Sequence, residues 1–260
     1  MKSIESGELL FSVTDGVADI VVNRPEKLNA LNTRIVADMH AIITRLDGDN
    51  SARVVVIKAA CTNNSVYSGS MAGADLDEMT ACQGNFDYQA YYSVFANFYR
   101  RLRSISQPVV TVINGYAFGG ACALAQSSEF VVASDKSVFG MPEINFGFPG
   151  GAATFSAQFG RQKAAEITML GNNFDAQEAY RMLLAYKVVP ETELEETVQK
   201  ICATLKKRSF ESLKMGKHII NVSADCGVDE AVNTEIIAAS LCLNTEYARN
   251  KIDNFMKKQK

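Results

Sequence analysis

The chain has 260 residues, of which 47% are hydrophobic and 21% are charged, and its formal net charge is −3. This composition is typical of a globular protein with a sizeable core, and it excludes the strongly basic surface of a nucleic-acid-binding protein. The six cysteines form no CxxC pair and the chain has only two histidines, which argues against a zinc site.

The N-terminal sequence lacks the cationic and apolar segments of a secretory signal. The most apolar window, residues 109–125, is interrupted by Asn114 and three glycines, so it is too short and too broken to cross a membrane. We therefore expect a cytoplasmic protein with reduced thiols and with neither a membrane nor a nucleic acid as partner.

The first half of the chain alternates strand and helix signals. Residues 9–25, "LLFSVTDGVADIVVNRP", predict two strands joined at Asp15-Gly16 and ended by Pro25. A helix follows, with apolar residues at helical spacing and with Asn32 or Thr33 as its N-cap. The β-branched run at 53–60 predicts a buried strand.

Further strand and helix signals continue this alternation. We expect a helix over 87–105, a strand over 109–113, a glycine turn followed by a helix, and a strand over 129–134. Strands separated by helices favour parallel pairing through right-handed crossovers. From about residue 161 nearly every segment is predicted to be helical, with breaks at Gly171 and Pro190. The sequence therefore predicts an α/β core followed by a helical C-terminal part.

Two loops place small residues at the start of a helix: "MAGADLDEM", residues 71–79, and "YAFGGACAL", residues 116–124. The first N–H groups of a helix lack intrahelical partners, and small side chains let a ligand reach them. Two such donors directed at one oxygen would stabilise negative charge on a carbonyl. The alternative is structural, because glycines at helix starts also serve close helix–strand packing.

Glu143 lies in an apolar stretch, between Met141, Ile144, Phe146 and Phe148. Desolvation there would raise its pKa, which suits a general acid or base. The alternative is a carboxylate that points to solvent at a strand end. No GKS/T sequence is present in this loop, so it is not a nucleotide P-loop.

Other candidate residues are better explained structurally. A Ser/His/Asp triad needs a histidine, but His40 lies on an amphipathic helix face and His218 lies in a helical segment. Cys122 is expected to be a small buried hydrophobic residue.

Four motifs resemble those of the crotonase superfamily, which is the enoyl-CoA hydratase/isomerase family, and they occur in the same order. The resemblance extends over nearly the whole chain. They are "NRPEKLNALN" at 23–32, "AGADLDEM" at 72–79, "NGYAFGGACALA" at 114–125 and "FGMPEINFGFPGG" at 139–151. The resemblance implies a crotonase, or ClpP-like, α/β fold. Residues 1–195 would form a spiral core of repeated ββα turns that carries the acyl-CoA site, and residues 196–260 would form a C-terminal helical region that mediates trimers or dimers of trimers.

The resemblance also implies an acyl-CoA substrate and assigns the residues of the site. The thioester oxygen would accept hydrogen bonds from the backbone N–H groups of Ala74 and Gly120, and Glu143 would transfer the proton. Lys27, Leu28 and Ala72 would line the path of the coenzyme A, which is part of the substrate, and no separate cofactor or metal is expected.

Two departures from the family pattern leave the reaction open. Family hydratases usually carry a second glutamate, whose position here holds Ala123, and the run "YSGSM" at 67–71 is longer than usual. A single carboxylate resembles family isomerases and cinnamoyl-type hydratase-lyases, so both double-bond isomerisation and hydration or dehydration remain possible.

Two alternatives stand beside this reading. The stretches "GGAATF" and "AYKVVP", with His218, resemble polyketide-pathway members that decarboxylate a glutaconyl group on an acyl carrier protein. Those members lack a glutamate at the position of Glu143. The second alternative is a non-catalytic acyl-CoA-binding protein of the same fold, which the alanine at 123 suggests.

Overall fold

A computed structural model describes residues 4–5, 7–49, 51–61 and 69–257. The elements in chain order are β1 (Ile4–Glu5), β2 (Leu9–Thr14), β3 (Val17–Val22), α1 (Thr33–Asp47), β4 (Val54–Ala59), α2 (Leu76–Thr80), α3 (Gly84–Ser104), β5 (Val109–Ile113), β6 (Tyr116–Phe118), α4 (Gly120–Gln126), β7 (Phe130–Ser134), β8 (Val138–Gly140), α5 (Ala152–Phe159), α6 (Arg161–Leu170), β9 (Phe174–Asp175), α7 (Ala176–Arg181), β10 (Lys187–Val189), α8 (Leu194–Lys206), α9 (Phe210–Cys226), α10 (Val228–Leu243) and α11 (Glu246–Lys257). Three short 3₁₀ helices cover Pro25–Lys27, Pro142–Phe146 and Glu191–Glu193.

The predicted hairpin is present as β2 and β3. Asp15 and Gly16 join them with φ of 49° and 73°, the left-handed values that a two-residue type I′ turn requires. The Asn32 side chain accepts a hydrogen bond from the Ile35 N–H at 2.7 Å, so Asn32 and not Thr33 is the N-cap of α1.

Two sheets organise the core. The larger has seven strands in the order β1-β2-β3-β4-β5-β7-β10, antiparallel from β1 to β3 and parallel from β3 to β10. The smaller contains β6, β8 and β9, and its parallel pair β6–β8 brings the strand before α4 next to the strand before Glu143. These pairs confirm the parallel pairing that the alternation of strands and helices predicts. The β6–β8 pair also brings the loop at the start of α4 close to the segment that carries Glu143.

The central parallel strands of the larger sheet, β4, β5 and β7, are mostly buried on both faces, as the β-branched run of β4 predicts. Val55 and Ile57 belong to the main cluster with α1 and α3 residues, while Val54 and Val56 pack in a second cluster against α8. This alternation follows the two-residue period of a strand. α8 therefore covers the sheet and also spans the predicted boundary after residue 195. The division into 1–195 and 196–260 stays a prediction.

The C-terminal half is mainly helical, with the short strands β9 and β10 between helices. A buried ion pair joins α9 to the core. Lys217, with a side chain 5% exposed, places Nζ 3.0 Å from Glu129 Oε2 and donates to the carbonyl oxygens of Leu102 and Gln107, each at 3.0 Å. α10 carries apolar side chains that are exposed in the single chain, including Ile236, Ile237 and Leu241.

In the described ranges, no helix is both long enough and apolar enough to cross a membrane. The same residues contain no group of three His, Cys, Asp or Glu side chains placed to hold a metal ion. The lengthened run predicted at 67–71 falls partly on residues 62–68, which lie outside the described residues.

Candidate functional site

The first glycine-containing loop pairs with Leu31 and leaves the Ala74 N–H pointing away from this partner. Ala74 forms a parallel bridge with Leu31, whose N–H donates to the Gly73 carbonyl at 2.7 Å and whose carbonyl accepts from the Asp75 N–H at 2.9 Å. Because successive N–H groups of an extended segment point to opposite sides, the Ala74 N–H faces away from Leu31. Within the described chain this N–H donates no hydrogen bond.

The second loop brings the start of α4 against the first. Gly119, with φ of 51°, donates its N–H to the Gly140 carbonyl at 2.9 Å, and α4 begins at Gly120, whose N–H has no intrahelical acceptor. A Cβ at position 120 would lie 3.6 Å from the Ala74 nitrogen. A Cβ at position 73, where φ is 90°, would lie 2.5 Å from the Phe118 carbonyl oxygen and 3.4 Å from the Gly120 nitrogen. Glycine at 73 therefore permits the close approach of the two loops.

Glu143 lies on the 3₁₀ helix Pro142–Phe146 and is half-buried. Its Oε2 is buried and has no hydrogen-bond partner among the described residues. Two glycines make room for the carboxyl group: a Cβ at 119 would lie 2.7 Å from Oε1, and a Cβ at 150 would lie 2.5 Å from Cδ. Burial raises the pKa of Glu143 above its usual value, because the charged form loses hydration.

One cavity of about 330 Å³ contains all three predicted catalytic positions, Ala74, Gly120 and Glu143. Glu143 is the only carboxylate among the described lining residues. Aromatic side chains form much of the remaining wall: Tyr91, Tyr92, Phe95, Tyr99, Phe118, Phe146 and Phe148. The cavity thus combines two amide donors and one acid in an apolar enclosure, an arrangement suited to enolate chemistry at an activated carbonyl.

Of the three predicted coenzyme A residues, only Ala72 is among the described residues that line this cavity. Ala72 lines it and donates its N–H to the Leu28 carbonyl at 3.0 Å. Leu28 is exposed in a left-handed conformation with φ of 51°, and the Lys27 Nζ lies 2.5 Å from Asp77 Oδ2. Lys27 and Leu28 are not among the described lining residues of the cavity, and their roles remain predictions.

The two histidines and Cys122, which the sequence analysis explained structurally, are not among the described residues that line the cavity. His218 is exposed on α9, and neither it nor His40 is among the described residues that line the cavity. Cys122 is fully buried in α4, and burial raises the pKa of its thiol. Ala123 lines the cavity without offering a polar group.

Sequence reasoning did not place the tyrosines of α3. Tyr91, Tyr92, Phe95 and Tyr99 share a helical spacing, and that period was the signal that could have placed them on one wall. The Tyr99 hydroxyl donates to the Gly120 carbonyl at 2.8 Å, and the Tyr91 hydroxyl donates to the Asp75 carbonyl at 3.3 Å. Both tyrosines therefore contact the loops that carry the two amide donors.

Arg24 also contacts the first loop, although no pattern in the sequence singles it out. Its Nη1 lies 2.6 Å from Asp75 Oδ2, and the two side chains are 12% and 9% exposed. Burial has the largest single effect on the pKa of Asp75 and raises it, but the hydrogen bond and charge of Arg24, together with the N–H groups of Asp77 and Glu78, outweigh burial, so the pKa is lowered. Asp75 caps α2 through the Asp77 N–H at 3.0 Å and directly follows Ala74. Arg24 therefore holds in place the aspartate that directly follows Ala74.

We expect Arg24→Met to lower kcat about tenfold, a barrier increase of about 1.4 kcal/mol, with little change in KM. The unpaired Asp75 would shift the Ala74 N–H, whereas substrate contacts elsewhere remain. Arg24→Lys should recover part of the loss. Arg101→Met removes another arginine–aspartate pair, 2.8 Å from Asp47, and serves as the control. Equal losses of stability in both variants with unchanged kcat would show that Arg24 has no positioning role.

Both the sequence and the fold of this chain are similar to those of known proteins. The sequence matches the family model described as Enoyl-CoA hydratase/isomerase over residues 12–260. It is 30% identical over 261 residues to a short-chain-enoyl-CoA hydratase of Clostridium acetobutylicum, covering 99% of this chain and 97% of that protein. The crystal structure of human enoyl Coenzyme A hydratase domain-containing protein 3 is 26% identical, with a TM-score of 0.88 and coverage of 97% of this chain and 98% of that one. An enoyl-CoA hydratase from Mycobacterium smegmatis, 22% identical, has a TM-score of 0.90 over 96% of each chain, a likeness in fold alone.

Proposed function

The chain belongs to the enoyl-CoA hydratase/isomerase family, and on that premise we propose that it binds an unsaturated acyl-CoA and stabilises the enolate of its thioester. The main support for this proposal is that Ala74, Gly120 and Glu143 all line one cavity. The crotonase fold expected from the sequence is confirmed by its likeness to solved enoyl-CoA hydratase structures.

In the proposed reaction the thioester oxygen accepts hydrogen bonds from the N–H groups of Ala74 and Gly120. These donors are already oriented by the Leu31 pairing and by the start of α4, so they need no rearrangement when charge develops on the oxygen. The dipole of α4 adds to this stabilisation at its N-terminus. Removing one such donor typically costs about 2.7–4 kcal/mol of barrier stabilisation.

Glu143 is the proposed proton carrier. Its raised pKa makes the carboxylate a stronger base than an exposed glutamate, and its unpartnered Oε2 leaves an oxygen available to the substrate. One carboxylate can remove a proton from one carbon and return it to another, or exchange protons with an added water. The proposed activity is therefore double-bond migration or hydration and dehydration.

The remaining parts of the proposal concern binding and assembly. Lys27, Leu28 and Ala72 would line the coenzyme A path beside the cavity, and the reaction needs no cofactor apart from the coenzyme A of the substrate. The exposed apolar residues of α10 support a homotrimer or a dimer of trimers. The cysteine usage of the sequence supports a cytoplasmic location.

The direct test uses the purified protein with crotonyl-CoA, with a 3-enoyl-CoA, and with butyryl-CoA in D₂O. We expect deuterium to enter carbon 2 of butyryl-CoA and at least one enoyl substrate to be converted. Binding of these thioesters without conversion or exchange would refute the proposal and support the non-catalytic alternative.

A further inference from the structure

We propose that the Tyr99 hydroxyl is the second polar group that holds the water molecule for addition to the enoyl thioester, in place of a carboxylate on α4. The inference rests on the proposed function and narrows it to hydration and its reverse. Tyr99 would bind water and would not itself transfer a proton.

The position of the hydroxyl is the first support. Tyr99 lines the same cavity as Glu143, and a Cβ at position 120 would lie 3.0 Å from the Tyr99 oxygen. Gly120 and Ala123 are three residues apart on α4 and so share one side of the helix. The Tyr99 hydroxyl therefore lies next to the face of α4 that carries Ala123, whose small side chain also lines the cavity.

The hydrogen bond of Tyr99 fixes which role its oxygen can play. A phenol has one O–H donor, and Tyr99 directs it to the Gly120 carbonyl at 2.8 Å. The remaining lone pairs can only accept a hydrogen bond, as a water molecule in the cavity would require. Burial and the nearby Glu143 carboxylate raise the pKa of Tyr99, so the phenol keeps its proton at neutral pH.

Two acceptors then hold one water. Glu143 accepts one water hydrogen and Tyr99 accepts the other, which directs the water oxygen toward carbon 3 of the substrate. A second fixed contact matters because a misplaced nucleophile loses much of the benefit of being bound. No other described lining residue offers a carboxylate for this purpose.

The proposed step conserves atoms and charge. The water oxygen forms a bond to carbon 3 while Glu143 takes one water proton, and the electron pair of the carbon 2–carbon 3 double bond moves into the thioester enolate. Glu143 then returns that proton to carbon 2, which restores the thioester carbonyl. The hydrogen held by Tyr99 stays on the new 3-hydroxyl group.

The test compares two reactions in Tyr99→Phe. Hydration of crotonyl-CoA needs the bound water, whereas deuterium exchange at carbon 2 of butyryl-CoA in D₂O needs only Glu143 and the two amides. We expect kcat for hydration to fall about tenfold and exchange to stay within about twofold of wild type. A change in this ratio would not follow from a general weakening of the Gly120 loop.

Tyr247→Phe is the matched control, because it removes a hydroxyl that donates to a backbone carbonyl, that of Lys207, also at 2.8 Å, outside the cavity. It should leave both rates unchanged. Parallel losses of hydration and exchange in Tyr99→Phe, or unchanged hydration, would overturn the water-binding role. A wild-type protein that exchanges but does not hydrate would overturn it while sparing the proposed function, and one that does neither would overturn both.

Discussion

Glu143→Gln is expected to lower kcat by about 10²- to 10⁴-fold for whichever enoyl-CoA the wild-type protein converts, because it removes the proposed acid and base but keeps a similar shape. Deuterium exchange into butyryl-CoA should fall by a similar factor. The measurement is steady-state kinetics with crotonyl-CoA and a 3-enoyl-CoA. Glu193→Gln, which changes an exposed glutamate outside the cavity, is the control. Unchanged rates in Glu143→Gln would exclude the proton-transfer role.

Although Glu143→Gln should lose activity, it should become more stable than wild type as the pH rises. Because the folded-state pKa of Glu143 is raised, folding favours its protonated form, and the stability this contributes is lost as pH rises through that folded pKa. Glutamine stays neutral, so the melting temperature of Glu143→Gln should exceed that of wild type increasingly as pH rises above the usual glutamate range. Wild-type activity should fall on acidification at a pH above the usual glutamate pKa of about 4.3.

Gly150→Ala is expected to lower kcat roughly 10²-fold through a purely steric effect on Glu143. The added Cβ would lie 2.5 Å from Cδ and 2.7 Å from Cγ of Glu143, closer than side chains approach, so the carboxyl group must move. Backbone strain does not contribute, because the φ of Gly150 lies outside the left-handed range. Kinetics and thermal denaturation of the same preparation would separate activity from folding.

Gly216→Ala provides the control for this substitution. A Cβ at position 216 would meet no atom of the described residues within 4 Å, and alanine is favoured over glycine in a helix such as α9 by about 1 kcal/mol. We expect unchanged kinetics and a slight gain in stability. Full activity in Gly150→Ala would mean that the position of the Glu143 carboxyl group does not matter for the reaction.

Local sequence signals predicted much of the fold because they act over short distances. The Asp15-Gly16 hairpin, the strand at 109–113 and the N-cap choice at residues 32 and 33 depend on neighbouring residues. The predicted helix at 87–105 was correct in its central part and begins earlier, at Gly84, where no strong capping side chain marks the start.

Contacts between distant segments were not available from local signals. The three-residue strand β10 gains its identity from pairing with β7, and such a short run carries little periodicity of its own. The Arg24–Asp75 pair joins residues 51 positions apart, and the Tyr99–Gly120 hydrogen bond joins residues 21 positions apart. The sequence therefore indicated the loops that the structure brings to one cavity, whereas the side chains that contact these loops could be found only in the three-dimensional structure.

The Lys217–Glu129 pair has a consequence for how the protein unfolds. Detaching α9 would leave the Glu129 carboxylate, which also accepts from the Val109 N–H at 2.8 Å, without its cation. Removing one member of a buried ion pair while the other stays buried typically costs about 3–5 kcal/mol, a large part of the stability of a folded domain. The core that carries Glu129 and the helix α9 are thus thermodynamically coupled, and we expect them to melt in a single cooperative transition.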